Sequence, residues 1–138
     1  YDYIVLLQPT SPLRTSANID ESIELLFDKN ADSIVSVTKT NHSPTLSNTL
    51  PSNNSMKNFF SNKDIKMISN DLNTYYRLNG AIYIIQTKKF ILENSFFTDK
   101  TFAYHMSQEQ SIDIDTAYDF FCAQATMSLR YNKKTQYE

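Results

Sequence analysis

The chain has 138 residues, a formal net charge of −2 and one cysteine, Cys122, so its length suits one modest domain with a hydrophobic core. Its mixed acidic and basic residues exclude the clustered basic surface that nucleic-acid binding needs, and no apolar run reaches the ~20 residues that span a bilayer. Because a lone cysteine excludes an internal disulfide and suits a reducing compartment, the composition predicts a cytoplasmic protein with no nucleic-acid or membrane partner.

The first part of the chain predicts a strand, a loop, a helix and a second strand. Residues 3–7 are a continuous apolar run, which is typical of a strand buried on both faces in a parallel sheet, and two prolines make residues 8–14 a loop. The spacing of Asn18 and Glu21 indicates a capping box at the start of the helix. Its apolar face is formed by Ile19, Ile23, Leu26 and Phe27. With a second strand over residues 33–38, this is a right-handed parallel unit, so the fold class is α/β.

Residues 39–74 differ from the rest in composition, because asparagine and serine dominate and apolar residues are sparse. Such a segment cannot bury much of itself, so it is predicted to be a flap, a long surface loop or an arm that contacts a partner. Short strands are predicted over residues 57–60 and 65–68. Four apolar side chains in this segment need burial against something: Phe59, Phe60, Met67 and Ile68.

Regular structure is predicted again after residue 75. Residues 81–85 read as a buried strand, residues 88–93 as a short helix and Thr101–Met106 as a strand with alternating apolar residues. Residues 111–115 alternate as well and lead into a C-terminal helix. The predicted apolar face of that helix consists of Tyr118, Phe121, Cys122, Ala125 and Leu129.

Two carboxylates two residues apart form the strongest local signal for chemistry. In an extended backbone Asp113 and Asp115 point to the same side, with Cα atoms about 6.5–7 Å apart. Mg²⁺ commonly takes one or two carboxylates together with substrate phosphates and waters, so the pair is a candidate metal site. A second interpretation is that Asp115 caps the last helix and Asp113 lies on a solvated loop.

Two further polar segments adjoin predicted strands. Gln8 and Arg14 lie in the loop after the first strand, where ligands bind in open parallel sheets; Gln8 offers amide donors and an acceptor, and Arg14 offers a partner for a carboxylate or phosphate. Ordinary turn chemistry explains the same loop. Gly80, the only glycine of the chain, indicates a tight backbone approach, either to a ligand or to a neighbouring strand.

Four segments, in this order, resemble motifs of the CMP-N-acylneuraminate cytidylyltransferases. Residues 7–15 (LQPTSPLRT) resemble the central signature of that family, and residues 77–83 (RLNGAIY) and 111–116 (SIDIDT) resemble two further motifs. Residues 94–97 (NSFF) are similar to a weaker fourth motif. The resemblance covers nearly the whole chain.

The resemblance implies an α/β nucleotidyltransferase fold, with a mixed, mostly parallel, Rossmann-like sheet, helices on both faces and a protruding dimerisation arm. Enzymes of this family are usually homodimers in which CTP reacts with an acidic nine-carbon sugar: the anomeric hydroxyl attacks the α-phosphate and pyrophosphate leaves. The resemblance implies that Asp113 and Asp115 are the catalytic acids and hold Mg²⁺. The residues that it places around the sugar are Gln8, Arg77, Asn79, Tyr83, Phe96 and Phe97.

The chain departs from the family in two ways. The glycine-rich, basic CTP-binding loop of the family lies upstream of the Gln8 motif and nothing here matches it, which agrees with the shortage of glycine. Residues 1–138 are therefore expected to be the C-terminal part of the enzyme, a single-domain fragment that is inactive alone. Leu46 and Ser69 stand where family members often carry Lys and Arg, so the identity of the sugar stays open. The alternatives are a non-catalytic dimerisation or sugar-binding module and a cytidylyltransferase for legionaminic acid or Kdo.

Overall fold

The computed structural model describes residues 1–60 and 73–135. The chain divides into two compact units, one made of Tyr1–Thr38 with Arg77–Glu138 and the other of Lys39–Tyr76. The described part contains four strands and three α-helices: β1 (Tyr3–Leu6), α1 (Ser16–Asp28), β2 (Ser33–Lys39), β3 (Tyr76–Gln86), α2 (Thr87–Glu93), β4 (Thr101–Met106) and α3 (Ala117–Thr135). None of these helices has both the length and the apolar character that crossing a membrane requires.

The four strands form one mixed sheet in the order β1-β3-β2-β4. β1 pairs antiparallel with β3, and β2 pairs in parallel with β4. Between β3 and β2, the Gln86 amide donates to the Asp32 carbonyl at 2.9 Å, and the Ile82 amide donates to Ser36 Oγ at 2.8 Å. Because these residue numbers run in opposite directions, β3 is antiparallel to β2 as well. β1, β2 and β4 therefore run one way and β3 the other, which agrees with the predicted α/β class.

The hydrophobic core of the larger unit is formed by α1 together with strands β2, β3 and β4. Leu26 of α1 is buried against apolar side chains of β2, β3 and β4, and Ile19 and Ile23 pack against the same cluster. The strand residues of this cluster are Ile34, Ala81, Ile82, Ile84, Tyr104 and Met106. Burying each large side chain contributes roughly 1.5–3 kcal/mol, so this cluster fixes α1 on the sheet.

The start of α1 differs from the prediction. The N-cap is Thr15, whose hydroxyl accepts from the Asn18 amide at 3.3 Å while Asn18 Oδ1 accepts from the Thr15 amide at 2.9 Å. The predicted box of Asn18 with Glu21 is wrong, because the Glu21 carboxylate accepts from the Tyr104 hydroxyl at 2.5 Å instead. Phe27 is also misassigned: it is exposed and contacts the ring of Tyr3 edge-on.

The prediction of a strand over residues 3–7 is confirmed for Tyr3–Leu6, but its predicted burial on both faces and its parallel pairing are wrong. β1 lies at one end of the sheet, and its only pairing among the described residues is antiparallel, with β3. Tyr3, Val5 and Leu6 are each at least 36% exposed. An apolar run cannot by itself tell a central strand from an edge strand, because both pairings suit the same residues.

The second half of the larger unit follows the prediction more closely. β4 has the predicted bounds, α2 begins one residue earlier than predicted, and β3 extends the predicted strand at its N-terminal end. The predicted apolar face of α3 is not buried: Tyr118, Phe121 and Leu129 are all more than 60% exposed, whereas Ala123 is 3% exposed. Arg130 holds the helix in place by donating to the carbonyls of Leu13 and Glu109.

The smaller unit, Lys39–Tyr76, consists of turns where the structure describes it. A short 3-10 helix spans Pro44–Leu46, and the side chain of Asn48 donates through Nδ2 to the Phe59 carbonyl at 2.8 Å. Phe59 and Phe60 contact each other edge-on, with centroids 4.7 Å apart, but residues 57–60 form a turn and not the predicted strand. The other predicted strand, residues 65–68 with Met67 and Ile68, lies outside the described residues.

Candidate functional site

Three of the four segments that carry the matched motifs meet at one edge of the sheet; the fourth, residues 94–97, is bonded through the Phe96 carbonyl to Ser33, at the opposite end of β2. The loop of residues 8–14 follows the carboxyl end of β1, and residues 107–116 follow the carboxyl end of β4. Because β3 runs in the opposite direction, its first residues, 77–80, lie at this same edge. Ligands of open α/β sheets bind at the carboxyl ends of parallel strands, so the topology brings the predicted site segments together.

Gly80 lies between the side chains of Gln8 and Asp113. It has a φ of +74°, and a Cβ built on it would lie 2.1 Å from Gln8 Oε1 and 3.6 Å from Asp113 Oδ2. The close approach predicted for the only glycine is therefore made by the Gln8 amide, which occupies the space that any other residue's side chain would fill. Gln8, a candidate sugar-binding residue, and Asp113, a candidate metal-binding residue, therefore both lie beside Gly80.

The loop that carries the two candidate acids is tied to the Gln8 loop by a backbone bond. The Ile114 amide donates to the Thr10 carbonyl at 2.8 Å. Asp113 Oδ1 is buried and has no hydrogen-bond partner among the described residues, whereas Asp115 is exposed. The segment is a loop and not a strand, and its burial does not alternate: Asp113 is half-buried like the isoleucines on either side of it, and Asp115 is exposed.

The N-cap of α3 is Thr116 and not Asp115. Asp119 Oδ2 accepts from the Thr116 amide at 2.8 Å and from its hydroxyl at 2.6 Å, and the Asp119 amide donates to Thr116 Oγ1 at 3.3 Å. This reciprocal pair is a capping box with aspartate in the third position. The hydrogen bonds from Thr116 lower the pKa of the Asp119 carboxyl. The interpretation in which Asp115 serves only as a helix cap is therefore wrong, and its carboxylate is left for another role.

Arg14 is a clamp on the Gln8 loop. Its Nη1 donates to the carbonyls of Gln8, Ser11 and Ala81 at 2.8, 3.1 and 3.1 Å. One guanidinium nitrogen thus joins both ends of the turn to β3. This nitrogen shapes the loop, and a carboxylate or phosphate partner for the rest of the guanidinium stays a prediction.

Arg77 and Asn79 both reach the turn before the acidic loop. Arg77 Nη2 donates to the Ser111 carbonyl at 3.2 Å, and Asn79 Nδ2 donates to Ser111 Oγ at 2.9 Å. Arg77 is exposed, whereas Asn79 is 1% exposed. The two residues are brought to the same place, but only Arg77 presents itself to solvent.

The predicted aromatic residues form a second group. Tyr83 contacts Phe96 with centroids 5.4 Å apart, and Phe96 contacts Phe90 of α2 at 5.1 Å. The Phe96 carbonyl accepts from Ser33 Oγ at 2.6 Å, which fixes the turn after α2 to β2. Phe97 is 53% exposed. Their contact with a sugar stays a prediction.

Sequence reasoning missed two residues at this edge, Ser36 and Ser111. Both are at most 1% exposed, and both hydrogen-bond the Asn79 side chain. Serine is so common in turns and loops that its spacing carries no signal. The usable hint was the position of Ser36 inside an apolar strand, where a buried hydroxyl needs a partner.

The donor set of this edge fits Mg²⁺. A buried, unpartnered carboxylate oxygen is costly, and a hard divalent cation with one or two carboxylates, waters and substrate phosphates would satisfy Asp113 Oδ1. Among the described residues no group of three or more His, Cys, Asp or Glu side chains could enclose a metal ion. The edge therefore suits a cation that shares its ligands with a substrate better than one held by a closed protein site.

The two departures from the family motifs lie in the smaller unit. Leu46 is 48% exposed, at the end of the 3-10 helix. Ser69 lies outside the described residues.

Comparison with known proteins gives three informative relatives. The chain is 40% identical over 116 residues to the N-acylneuraminate cytidylyltransferase of Streptococcus agalactiae serotype V, covering 84% of this chain and 28% of that protein. It is 32% identical over 130 residues to the CMP-N,N'-diacetyllegionaminic acid synthase of Legionella pneumophila, covering 94% of this chain and 55% of that protein. It is 32% identical over 121 residues to the N-acylneuraminate cytidylyltransferase of Escherichia coli O18:K1:H7, covering 87% of this chain and 28% of that protein.

The chain spans only part of each of these relatives, between about a quarter and about half of their length. No protein-family model matches it. The matched residues cover most of the chain, so the likeness includes both units.

Proposed function

Because this chain belongs to the family of the N-acylneuraminate cytidylyltransferases, we propose that the protein carrying it transfers the cytidylyl group of CTP to an acidic nine-carbon sugar. The sugar's anomeric hydroxyl attacks the α-phosphorus, the bond to pyrophosphate breaks, and the hydroxyl proton passes to solvent. The observation that carries the proposal is the convergence of Gln8 and Asp113 on Gly80. Two motifs far apart in sequence thereby form one polar edge.

Asp113 and Asp115 would hold Mg²⁺ at this edge. When bound, the cation neutralises phosphate charge and orients the nucleotide for displacement. The protein contributes the anchoring: the bond from the Ile114 amide to the Thr10 carbonyl keeps the acidic loop beside the Gln8 loop. Asp115, which is exposed and is not the N-cap of α3, is the acid that approaching phosphates would meet.

Gln8 and Arg77 are the side chains best placed to bind the sugar. The Gln8 side-chain amide lies against Gly80, and Arg14 Nη1 donates to the Gln8 backbone carbonyl at 2.8 Å, so the backbone that carries this side chain is anchored before substrate binds. Arg77 is exposed at the same edge and carries the positive charge that an acidic sugar requires. Tyr83, Phe96 and Phe97 offer aromatic surface that suits the apolar face of a sugar ring, but the Phe96 carbonyl is bonded to Ser33 at the opposite end of β2 from this edge, so their contact with the same sugar stays a prediction.

The Asp115→Asn variant of the full-length protein tests this proposal. The change keeps the size of the side chain and removes its charge, so Mg²⁺-dependent formation of the CMP-sugar should be abolished while the circular dichroism spectrum stays unchanged. Asp119→Asn is the matched control, because Asp119 is a half-buried aspartate of the same region but caps α3; it should lower stability and retain turnover. Near-normal turnover in Asp115→Asn would sink the metal role.

A second acidic sugar, N,N'-diacetyllegionaminic acid, is supported by one observation. The Legionella relative named for that product is matched over the largest share of this chain and of its own length among the three. A panel of CTP-dependent assays with N-acetylneuraminic acid, the legionaminic derivative and Kdo separates the candidates by kcat/KM. A protein that binds one of these sugars but releases no pyrophosphate with any of them would favour the non-catalytic binding module.

A further inference from the structure

Asn79 lies at the centre of a buried hydrogen-bond network. Its Oδ1 accepts from Ser36 Oγ at 2.6 Å and from the Ala81 amide at 3.2 Å. Its Nδ2 donates to Ser111 Oγ at 2.9 Å and to Met106 Sδ at 3.3 Å. Both amide hydrogens and both oxygen lone pairs are therefore used inside the protein, and the residue is 1% exposed. Asn79 has no group left for a substrate.

This network joins β2, β3 and β4 to the base of the acidic loop. Ser36 lies on β2 and also accepts from the Ile82 amide at 2.8 Å. Ser111 lies two residues before Asp113 and donates to the Ser107 carbonyl at 2.6 Å. The Asn79 carbonyl further accepts from Ser11 Oγ, in the Gln8 loop, at 3.5 Å. Asn79 is thus hydrogen-bonded to both loops of the candidate site, through Ser111 and through Ser11.

We propose that Asn79 is a positioning residue, which acts through Ser111 to hold the Asp113 and Asp115 loop at the edge of the sheet; this inference rests on the proposed function. It assigns Asn79 a role different from the direct sugar contact that the motif resemblance implied, because a fully bonded, buried amide cannot reach a sugar. Ser36 fixes the orientation of the amide from the opposite side, so Ser36, Asn79 and Ser111 form one relay.

The relay is tested in the full-length protein with the variants Asn79→Ala, Ser111→Ala and the double variant. Residues behind metal ligands typically change metal affinity or activity by about 10–100-fold, so each single variant should raise the KM for Mg²⁺ by about tenfold or more, with kcat at saturating Mg²⁺ changed little. Direct Mn²⁺ binding, followed by electron paramagnetic resonance, should weaken in parallel. Because the two side chains act on one path, the double variant should lose no more than the worse single variant.

A second measurement reports the position of the loop without metal or substrate. The Ile114 amide is bonded to the Thr10 carbonyl, so its hydrogen-exchange rate rises if the acidic loop moves away from the Gln8 loop. Faster exchange at this amide is expected in Asn79→Ala and in Ser111→Ala.

The matched controls are Asn18→Ala and Ser22→Ala. Asn18 and Ser22 are also buried, and their substitution also removes side-chain hydrogen bonds, but both residues lie in α1. Both controls should lower the melting temperature while leaving Mn²⁺ affinity and Ile114 exchange as in the wild type. Equal Mn²⁺ weakening in controls and relay variants, unchanged affinity in Asn79→Ala, additive losses in the double variant, or a wild type that binds no Mn²⁺ would each overturn the inference. If Mn²⁺ binding follows the relay but no sugar is activated, the proposed function fails and the positioning role stands.

Discussion

Gly80 is central to the candidate site, because glycine has no side chain and so leaves the space that the Gln8 side-chain amide occupies. Its positive φ of +74° adds a second requirement for glycine, since residues with a Cβ lose roughly 1–2 kcal/mol in that region. Both demands fall on one position of β3. This position is thus constrained by the backbone and by a neighbouring side chain.

Gly80→Ala should lower the free energy of unfolding by at least the backbone part, about 1–2 kcal/mol, and should raise the KM for the sugar because the new methyl displaces Gln8. Urea denaturation and steady-state kinetics measure the two effects. In a Gln8→Ala background the methyl meets no amide, so Gly80→Ala should then cost less stability. Equal costs in both backgrounds would contradict the contact between the two residues.

The sequence predicted which segments lie together better than it predicted their burial. The spacing of Asp113 and Asp115 and the rarity of Gly80 singled out two segments that meet in the structure, and the roles of the two acids stay predictions. The difference between Asp113, whose Oδ1 is buried, and Asp115, which is exposed, depends on where the loop lies against residue 10. That contact joins segments far apart in the chain, and local pattern carries no information about it.

At the scale of elements, the N-terminal cap of α3 makes the stability of the folded state depend on pH. The lowered pKa of Asp119 arises first from the hydrogen bond of the Thr116 side chain and then from backbone amides. A carboxyl group whose pKa is lower in the folded state stabilises that state above its ordinary value of 3.8, and the contribution is lost as the pH falls through the folded-state pKa.

Asp119→Asn should therefore be less stable than the wild type at neutral pH, and the difference should shrink below pH 3.8 as the wild-type carboxyl is protonated. Urea unfolding followed by circular dichroism from pH 6 downwards measures this convergence. Asp20→Asn, at an exposed position of α1, is the control and should show no such convergence. A constant gap between Asp119→Asn and the wild type would refute the cap as the source.

The elements themselves were predictable where the pattern and the environment agree. β4 has the predicted bounds, and Tyr104 and Met106 are buried as its alternation predicts; α2 has nearly the predicted bounds although Ile91 and Leu92 are exposed. β1 also has nearly the predicted bounds, but its apolar residues and those of the predicted face of α3 are largely exposed in the described structure. Hydrophobic pattern records which residues favour burial and not which surface covers them.

For the whole molecule, the scarcity of glycine limits what the chain can bind. Backbone amides at a glycine-rich turn are the usual cradle for a triphosphate, and the one glycine here is occupied by Gln8. The 138-residue chain is therefore expected to bind CTP weakly or not at all in calorimetry with Mg²⁺. An affinity in the low micromolar range would show that the nucleotide is gripped by these residues after all.

The smaller unit gives a second prediction at this scale. Leu46, Leu50 and Met56 are exposed, and the paired rings of Phe59 and Phe60 lie close to them in sequence. We expect this unit to pack on a second copy of the chain, because a two-fold partner offers the same apolar surface. Light scattering should report a dimer for the wild type and a monomer for Phe59→Ser/Phe60→Ser. A wild-type monomer at tens of micromolar, with residues 39–74 rapidly cleaved by protease, would contradict the expectation.

β1 also determines how the chain behaves at high concentration. Among the described residues it pairs on one side only, and its partly exposed side chains include Tyr3, Val5 and Leu6. An apolar strand with an open edge is a template for adding further strands, and natural proteins often block such edges with lysine. Precipitation of the concentrated chain would then begin at β1 even while the core stays folded, and its solubility would respond to a charge placed at Val5 before it responded to any change in the core.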